Sequence, residues 1–176
     1  MKKCVLSVAV AAVLTGAMVL GLASVASAAS TWDGGGGDGL WATAANWSPN
    51  GVPSTVETWV SRAGAVSFTG ATPTQSGFVR VGYEAQGGWN GGALPSPSTV
   101  VTMTGGSITG GLSVSRDATF ELKAGSLSFT NHLVVGQDGG RDLGVAKFIL
   151  EGGSVSTANL YMQNGAPAGV GMLDRW

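Results

Sequence analysis

A nine-residue pattern returns three times in the second half of the chain, and it constrains the fold more than any other feature. Val101–Thr109 reads VTMTGGSIT, Phe120–Ser128 reads FELKAGSLS and Phe148–Ser156 reads FILEGGSVS. Each copy runs apolar, x, apolar, x, small, Gly, Ser, apolar, hydroxyl. Their Gly-Ser steps begin at Gly106, Gly125 and Gly153, spacings of 19 and 28 residues. A shorter element follows each copy: Leu112-x-Val114, Leu133-x-Val135 and Leu160-x-Met162. Phe78-Val79-Arg80-Val81-Gly82 is an earlier relative of it. Alternation with period two, bounded by glycine, is the pattern of short strands. One such unit cannot bury its apolar face alone, so neighbouring units must stack.

The expected fold is therefore all-β, a right-handed parallel β-helix. Leu, Val, Phe and Ile would fill its interior, with Leu122 and Leu150 at equivalent inward positions, while Glu121, Lys123 and Glu151 face water. The glycine in each copy would turn a corner where a positive φ or a missing Cβ is needed. The insertion Gln137–Asp142 would bulge from one edge. A β-sandwich built from hairpins is the competing arrangement. Helix signals are absent after Ala29, where glycine recurs too often for helix interiors.

The first 28 residues are a different kind of sequence. Lys2 and Lys3 precede an uncharged run from Val5 to Leu22, and Ala26-Ser27-Ala28 supplies the small residues of a cleavage site. This predicts a secretory signal peptide, cut after Ala28 on export through the Sec pathway, and so a secreted or cell-surface protein. A retained membrane anchor is the competing reading, because the run approaches the length that spans a bilayer. On the first reading the membrane is met only through the signal peptide. The only cysteine, Cys4, leaves with the leader, so the mature chain would hold no disulfide and no thiolate-bound metal. From Ala29 onward there are seven Lys and Arg against ten Asp and Glu, a net charge near −3. No basic stripe is present to neutralise phosphates, which argues against nucleic acid as a partner.

Three regions follow: the signal peptide 1–28, a Trp- and Gly-rich capping segment 29–59, and the strand-repeat region 60–176. The last unit breaks off after Met172–Trp176, which resembles the beginning of one more strand. That predicts a piece of a longer protein, with self-association at the open C-terminal edge. The capping segment carries Trp32, Gly34, Gly35, Gly39, Trp41, Asn46, Trp47 and Pro53 in a W-x-G-G-x-G-x-W arrangement followed by N-W and Pro. With the G-G-S strand copies, this resembles exported bacterial surface proteins bearing autotransporter-associated (passenger-type) β-strand repeats. The resemblance spans most of the mature chain and rests on short, glycine-biased motifs. It implies a surface-exposed or secreted β-helix with a structural or adhesive role. Within residues 29–176 the sequence shows none of that family's C-terminal elements: outer-membrane barrel, sorting tail or dockerin-like module.

Candidate chemistry is sparse. Trp32, Trp41, Trp47, Trp59 and Trp89 could stack on the faces of sugars, which makes extracellular polysaccharide or a cell-surface component the candidate ligand. The alternative is a cap, in which the large rings cover the open end of the first coil. Asp33 and Asp38, and Asp138 and Asp142, lie in Gly-rich loops without the spacing of a calcium loop, and read as solvated turns. His132 is the only histidine, too few for a zinc site and without a G-x-S-x-G nucleophile, and reads as a turn residue. Asp117, Glu121 and Glu151 are the acids a polysaccharide-cleaving β-helix would need, yet Lys123 and Lys147 beside them suit a solvated outer face. The expectation is a non-enzymatic structural or adhesive module with no catalytic residues, metal or cofactor. A polysaccharide-binding or polysaccharide-cleaving β-helix is the alternative.

Overall fold

The computed structural model describes residues 29–61, 64–82, 99–115, 118–136 and 145–162, together with the backbone of 171–175. The first described strands are β1 (Ser30–Trp32), β2 (Trp47–Ser48), β3 (Thr58–Val60), β4 (Ala65–Phe68) and β5 (Val79–Val81). The repeat copies and their companions form β6 (Thr99–Ile108), β7 (Leu112–Val114), β8 (Ala118–Val135), β9 (Ala146–Leu150), β10 (Ser154–Met162) and β11 (Gly171–Arg175). The only helical turn among these residues is a 3-10 turn at Ala44–Asn46. The chain is all-β.

All eleven strands belong to one curled sheet, and every pairing except β1 with β2 is parallel. A sandwich of hairpins would require antiparallel neighbours throughout. The registers fall into three rows. In the first, Ser30, Thr58, Val79, Leu112, Leu133 and Leu160 lie side by side. In the second, Val66, Val101, Phe120, Phe148 and Leu173 do so. The third holds Gln75, Ile108, Leu127 and Val155. Between β4 and β10 the chain visits the second row, then the third, then the first, and begins again. Residues that the nine-residue pattern aligns are thus paired across strands, Leu122 with Leu150 and Ser126 with Ser154 among them.

Alternation decides what goes inside. Val101, Met103, Phe120, Leu122 and Phe148 are buried, while Thr102, Glu121 and Lys147 between them are wholly or partly in water. Phe120 and Phe148 stack with centroids 5.9 Å apart and planes 6° apart. Each fully buried side chain of this size contributes about 1.5–3 kcal/mol of transfer free energy. No disulfide is needed for that.

The units were expected as separate short strands divided by glycine. Instead β8 runs unbroken for 18 residues through its corner. Gly125 turns that corner at φ +100°, in a backbone region that L residues avoid. A Cβ there would sit 2.8 Å from the Gly106 carbonyl oxygen and 2.8 Å from Met103 Cε. The aligned Gly106 and Gly153 both have φ +77°. Backbone pairing continues on either side of the bend, so no strand end is forced.

The two ends of the stack differ. At the N-terminal end β2 folds back antiparallel on β1, with Trp32 opposite Trp47. At the other end, β10 pairs only with β8 among the described residues. Leu160 and Met162 continue inward rows, yet they are 46% and 41% exposed, against 2% and 0% for the aligned Leu133 and Val135.

Candidate functional site

The tryptophans expected either to bind sugar or to cap the stack separate into two groups. Trp32, Trp41 and Trp47 form one edge-to-face cluster, Trp47 lying 5.0 Å from Trp32 and 4.7 Å from Trp41. Phe68 of the second row closes it, 5.0 Å from Trp41. Trp47 Nε1 donates to the Trp41 carbonyl oxygen at 2.8 Å. All three rings are buried, and Trp41 and Trp47 expose nothing. Such rings offer no face to a sugar, and their area goes into the core. Trp89 lies outside the described residues.

The loop above this cluster is organised by Asn46, a residue noted in the sequence only as part of the N-W step. Asn46 is fully buried, and its Oδ1 accepts from the Gly36 amide at 2.8 Å. Its Nδ2 donates to Asp38 Oδ1 at 2.7 Å and to the Leu40 carbonyl oxygen at 2.9 Å. Asp38 accepts further from Thr43 Oγ1 at 2.5 Å and from the Leu40 amide at 2.9 Å. These donors, Thr43 first, hold the Asp38 carboxyl below the usual carboxylate range. Asp33 accepts from the Gly35 amide. Both acids therefore tie the glycine loop together. Among the described residues no three His, Cys, Asp or Glu side chains gather as a metal site would require. Asp117, Asp138 and Asp142 lie outside those residues.

Glu121 and Glu151 meet on Lys123, whose Nζ is 3.6 Å from Glu121 Oε2 and 3.5 Å from Glu151 Oε2. Thr102 Oγ1 also donates to Glu121, at 3.0 Å. The two carboxylates, Glu151 before Glu121, raise the Lys123 ammonium above its ordinary value. The group is exposed, so the pairing is screened and adds little stability.

The third row presents hydroxyls outward. Ser107, Ser126 and Ser154 are in register, as are Ser128 and Ser156. Thr74 and Ser107 hydroxyls share a hydrogen bond of 2.9 Å. No aromatic or charged side chain stands among these residues.

The first row is different, and here the structure assembles residues that sequence reasoning had left apart. Positions alternating with the inward row on β3, β5, β7, β8 and β10 carry Trp59, Arg80, Ser113, Val134 and Tyr161 in register; Ser113 and Val134 are themselves buried, 0% and 3% exposed. The guanidinium of Arg80 lies 5.0 Å from the Trp59 ring centroid and 4.8 Å from that of Phe78. Arg80 Nε donates to Glu57 Oε1. Phe78 in turn meets His132 at 5.3 Å, and His132 meets Tyr161 at 5.9 Å, edge to face. His132, expected in a turn, is a strand residue of β8 paired with Asn159.

Phe78 can reach His132 because Gly111, just ahead of β7, lies between them. A Cβ at Gly111 would lie 2.6 Å from two carbons of the Phe78 ring. The result is a ladder, Trp59–Arg80–Phe78–His132–Tyr161, crossing the row from β3 to β10. Alignment of Phe78, Gly111 and His132 ahead of their Val or Leu partners was the sequence signal for it.

No protein-family model, curated protein or solved structure matches the chain.

Proposed function

We propose that this protein is an exported, non-enzymatic β-solenoid of right-handed parallel β-helix form, with a structural or adhesive role at the cell surface or outside the cell. The carrying observation is the contrast between its inside and its outside. Apolar side chains stack in register through three parallel rows, Trp32, Trp41 and Trp47 are buried, and among the described residues the third row turns serine hydroxyls outward. A polysaccharide-cleaving β-helix needs acids converging on open space. Here Glu121 and Glu151 converge on Lys123 instead. A solenoid that carries load or spacing needs only repeated burial and a neutral, hydrated exterior, and these supply both.

The Lys2-Lys3 start, apolar run and Ala26-Ser27-Ala28 support export, and the Trp/Gly opening with G-G-S strands supports kinship with autotransporter-associated β-strand repeats. The exposed Leu160 and Met162 support association at the C-terminal end of the stack, with a further coil or a second chain. Export is tested by mass spectrometry of protein recovered from a bacterial host. An N-terminus at Ala29 in the periplasm or medium is expected. Intact Met1 confined to the inner membrane would overturn the extracellular role.

A further inference from the structure

We infer that two copies of this chain pair tail to tail, through the C-terminal ends of their stacks, into a closed two-fold dimer in which residues 160–162 of each run antiparallel to those of the other. This deepens the association at that end by naming a second copy as the partner, and it rests on the solenoid form but not on export.

The two ends of the stack differ in how they are covered. At the N-terminal end a segment lies over each row. β2 is paired with β1 on the first row. The Trp41 amide donates to the Ser67 carbonyl oxygen on the second, and the Ser76 amide donates to the Ser54 carbonyl oxygen on the third. At the C-terminal end Leu160, Tyr161 and Met162 are 46%, 47% and 41% exposed, and β10 pairs only with β8 among the described residues. An open strand edge is a template for another edge unless charge or proline blocks it. β10 contains neither. With the N-terminal edges covered, the edge that can meet it is another C-terminal one. Head-to-tail growth is thereby excluded, and a like-with-like contact closes on a two-fold axis.

The climb of the coil selects the axis. One circuit of the chain rises by one strand spacing, about 4.8 Å, so each row stands about 1.6 Å above the one before it. At the C-terminal end Ser154, Val155 and Ser156 of β10 are lowest on the third row, residues 160–162 are next on the first, and β11 is highest on the second. A two-fold axis through the first row sets first row on first row and each second row on the partner's third. The highest strand then meets the lowest while the middle strands meet each other, so the three gaps are equal. An axis through either other row would leave them unequal. The third-row residues that each β11 would meet are uncharged, so no like charges oppose the contact.

Register follows from facing. Residues directly opposite in an antiparallel pair lie on the same face. With Tyr161 on the axis, Leu160 of each chain stands opposite Met162 of the other, and both continue inward rows. The apolar interiors of the two stacks then join.

The test is sedimentation velocity of the full chain, as the host delivers it, over a series of concentrations. A mass that rises to two chains and stays there is expected. Leu160→Asp should raise the dimer dissociation constant more than about a hundredfold, because each dimer would enclose two unpaired carboxylates. Leu40→Asp, the same change at an exposed leucine of the N-terminal end, should leave it unchanged. In a Cys4→Ser background, Tyr161→Cys should give a disulfide-linked pair of chains with oxidised glutathione, since directly opposed positions of an antiparallel pair lie within disulfide reach. Circular dichroism checks that each variant is folded, and the Tyr161→Cys cross-link decides alone if Leu160→Asp is not. A monomer at every concentration, a mass that grows past two chains, a dimer that survives Leu160→Asp, or a Tyr161→Cys chain that yields no linked pair would overturn the proposal. A folded monomer in which Leu133→Ala still loses stability sinks the dimer alone, whereas wild-type stability of Leu133→Ala sinks the solenoid beneath it.

Discussion

Replacing Leu112, Leu133 and Leu160 by alanine, one at a time, makes the same chemical change at three equivalent positions of the first row. Their burial differs: 0% and 2% exposed for the first two, 46% for the third. Removing a fully buried leucine side chain costs its transfer free energy plus a cavity term, together about 2–5 kcal/mol. Leu112 is enclosed by Val79 and Leu133 on either side in register, so the cavity cannot fill with solvent and the middle of that range, about 3 kcal/mol, is expected. Leu133 should cost a similar amount. Leu160 has given up only about half of its exposed area, and truncation there leaves a notch open to water rather than a cavity. With the cavity term gone and the transfer term halved, about 1 kcal/mol remains. Urea unfolding followed by far-ultraviolet circular dichroism, at two protein concentrations, reads all three. Equal losses at Leu133 and Leu160 would mean that the end of the stack is covered in solution. A loss at Leu160 that grows with protein concentration would assign the cover to a second copy. Small losses at Leu112 and Leu133 would refute the inward assignment of the row itself.

Other perturbations probe other parts of the fold. Gly125→Ala should lose about 1–3 kcal/mol, because a Cβ at φ +100° is strained and meets the Gly106 carbonyl; an unchanged denaturation midpoint would disprove the corner. Trp47→Ala should cost about 3–5 kcal/mol, through lost packing and the lost bond to the Trp41 carbonyl, and a wild-type melting temperature would move this ring from core to surface. Because Asp38 titrates below the usual range in the folded chain, its stabilisation is complete above the ordinary carboxylate value and is lost as pH falls through the lowered one. Melting temperatures followed into acid should show a flatter acid limb for Asp38→Ala, and identical limbs would discount the Asn46-centred loop.

Much of this architecture was legible in the sequence because its causes are local. Period-two alternation states which of Phe120, Glu121, Leu122 and Lys123 point inward, and repetition of that pattern aligns Leu122 with Leu150. A glycine followed by serine between two apolar pairs marks a corner for steric reasons confined to one residue. Such features follow from φ, ψ and side-chain direction.

What only the tertiary structure decided are contacts between rows and between units of unequal length. His132 has no apolar alternation of its own to show that β8 continues through it, so a turn was the natural expectation. Its place in the strand follows from pairing with Asn159. Whether the tryptophans faced a sugar or the core depended on how the loop 33–46 folds, and Asn46, with four atoms to satisfy at zero exposure, sets that. Glu121 and Glu151 occupy different positions in their copies, yet one flexible lysine reaches both. The Trp59-to-Tyr161 ladder depends on the lengths of chain between strands, which fix the coil on which each ring arrives, and on the absence of a side chain at Gly111. Periodicity determines the face on which a residue stands, whereas its neighbour on that face is set by the three-dimensional stacking of distant segments.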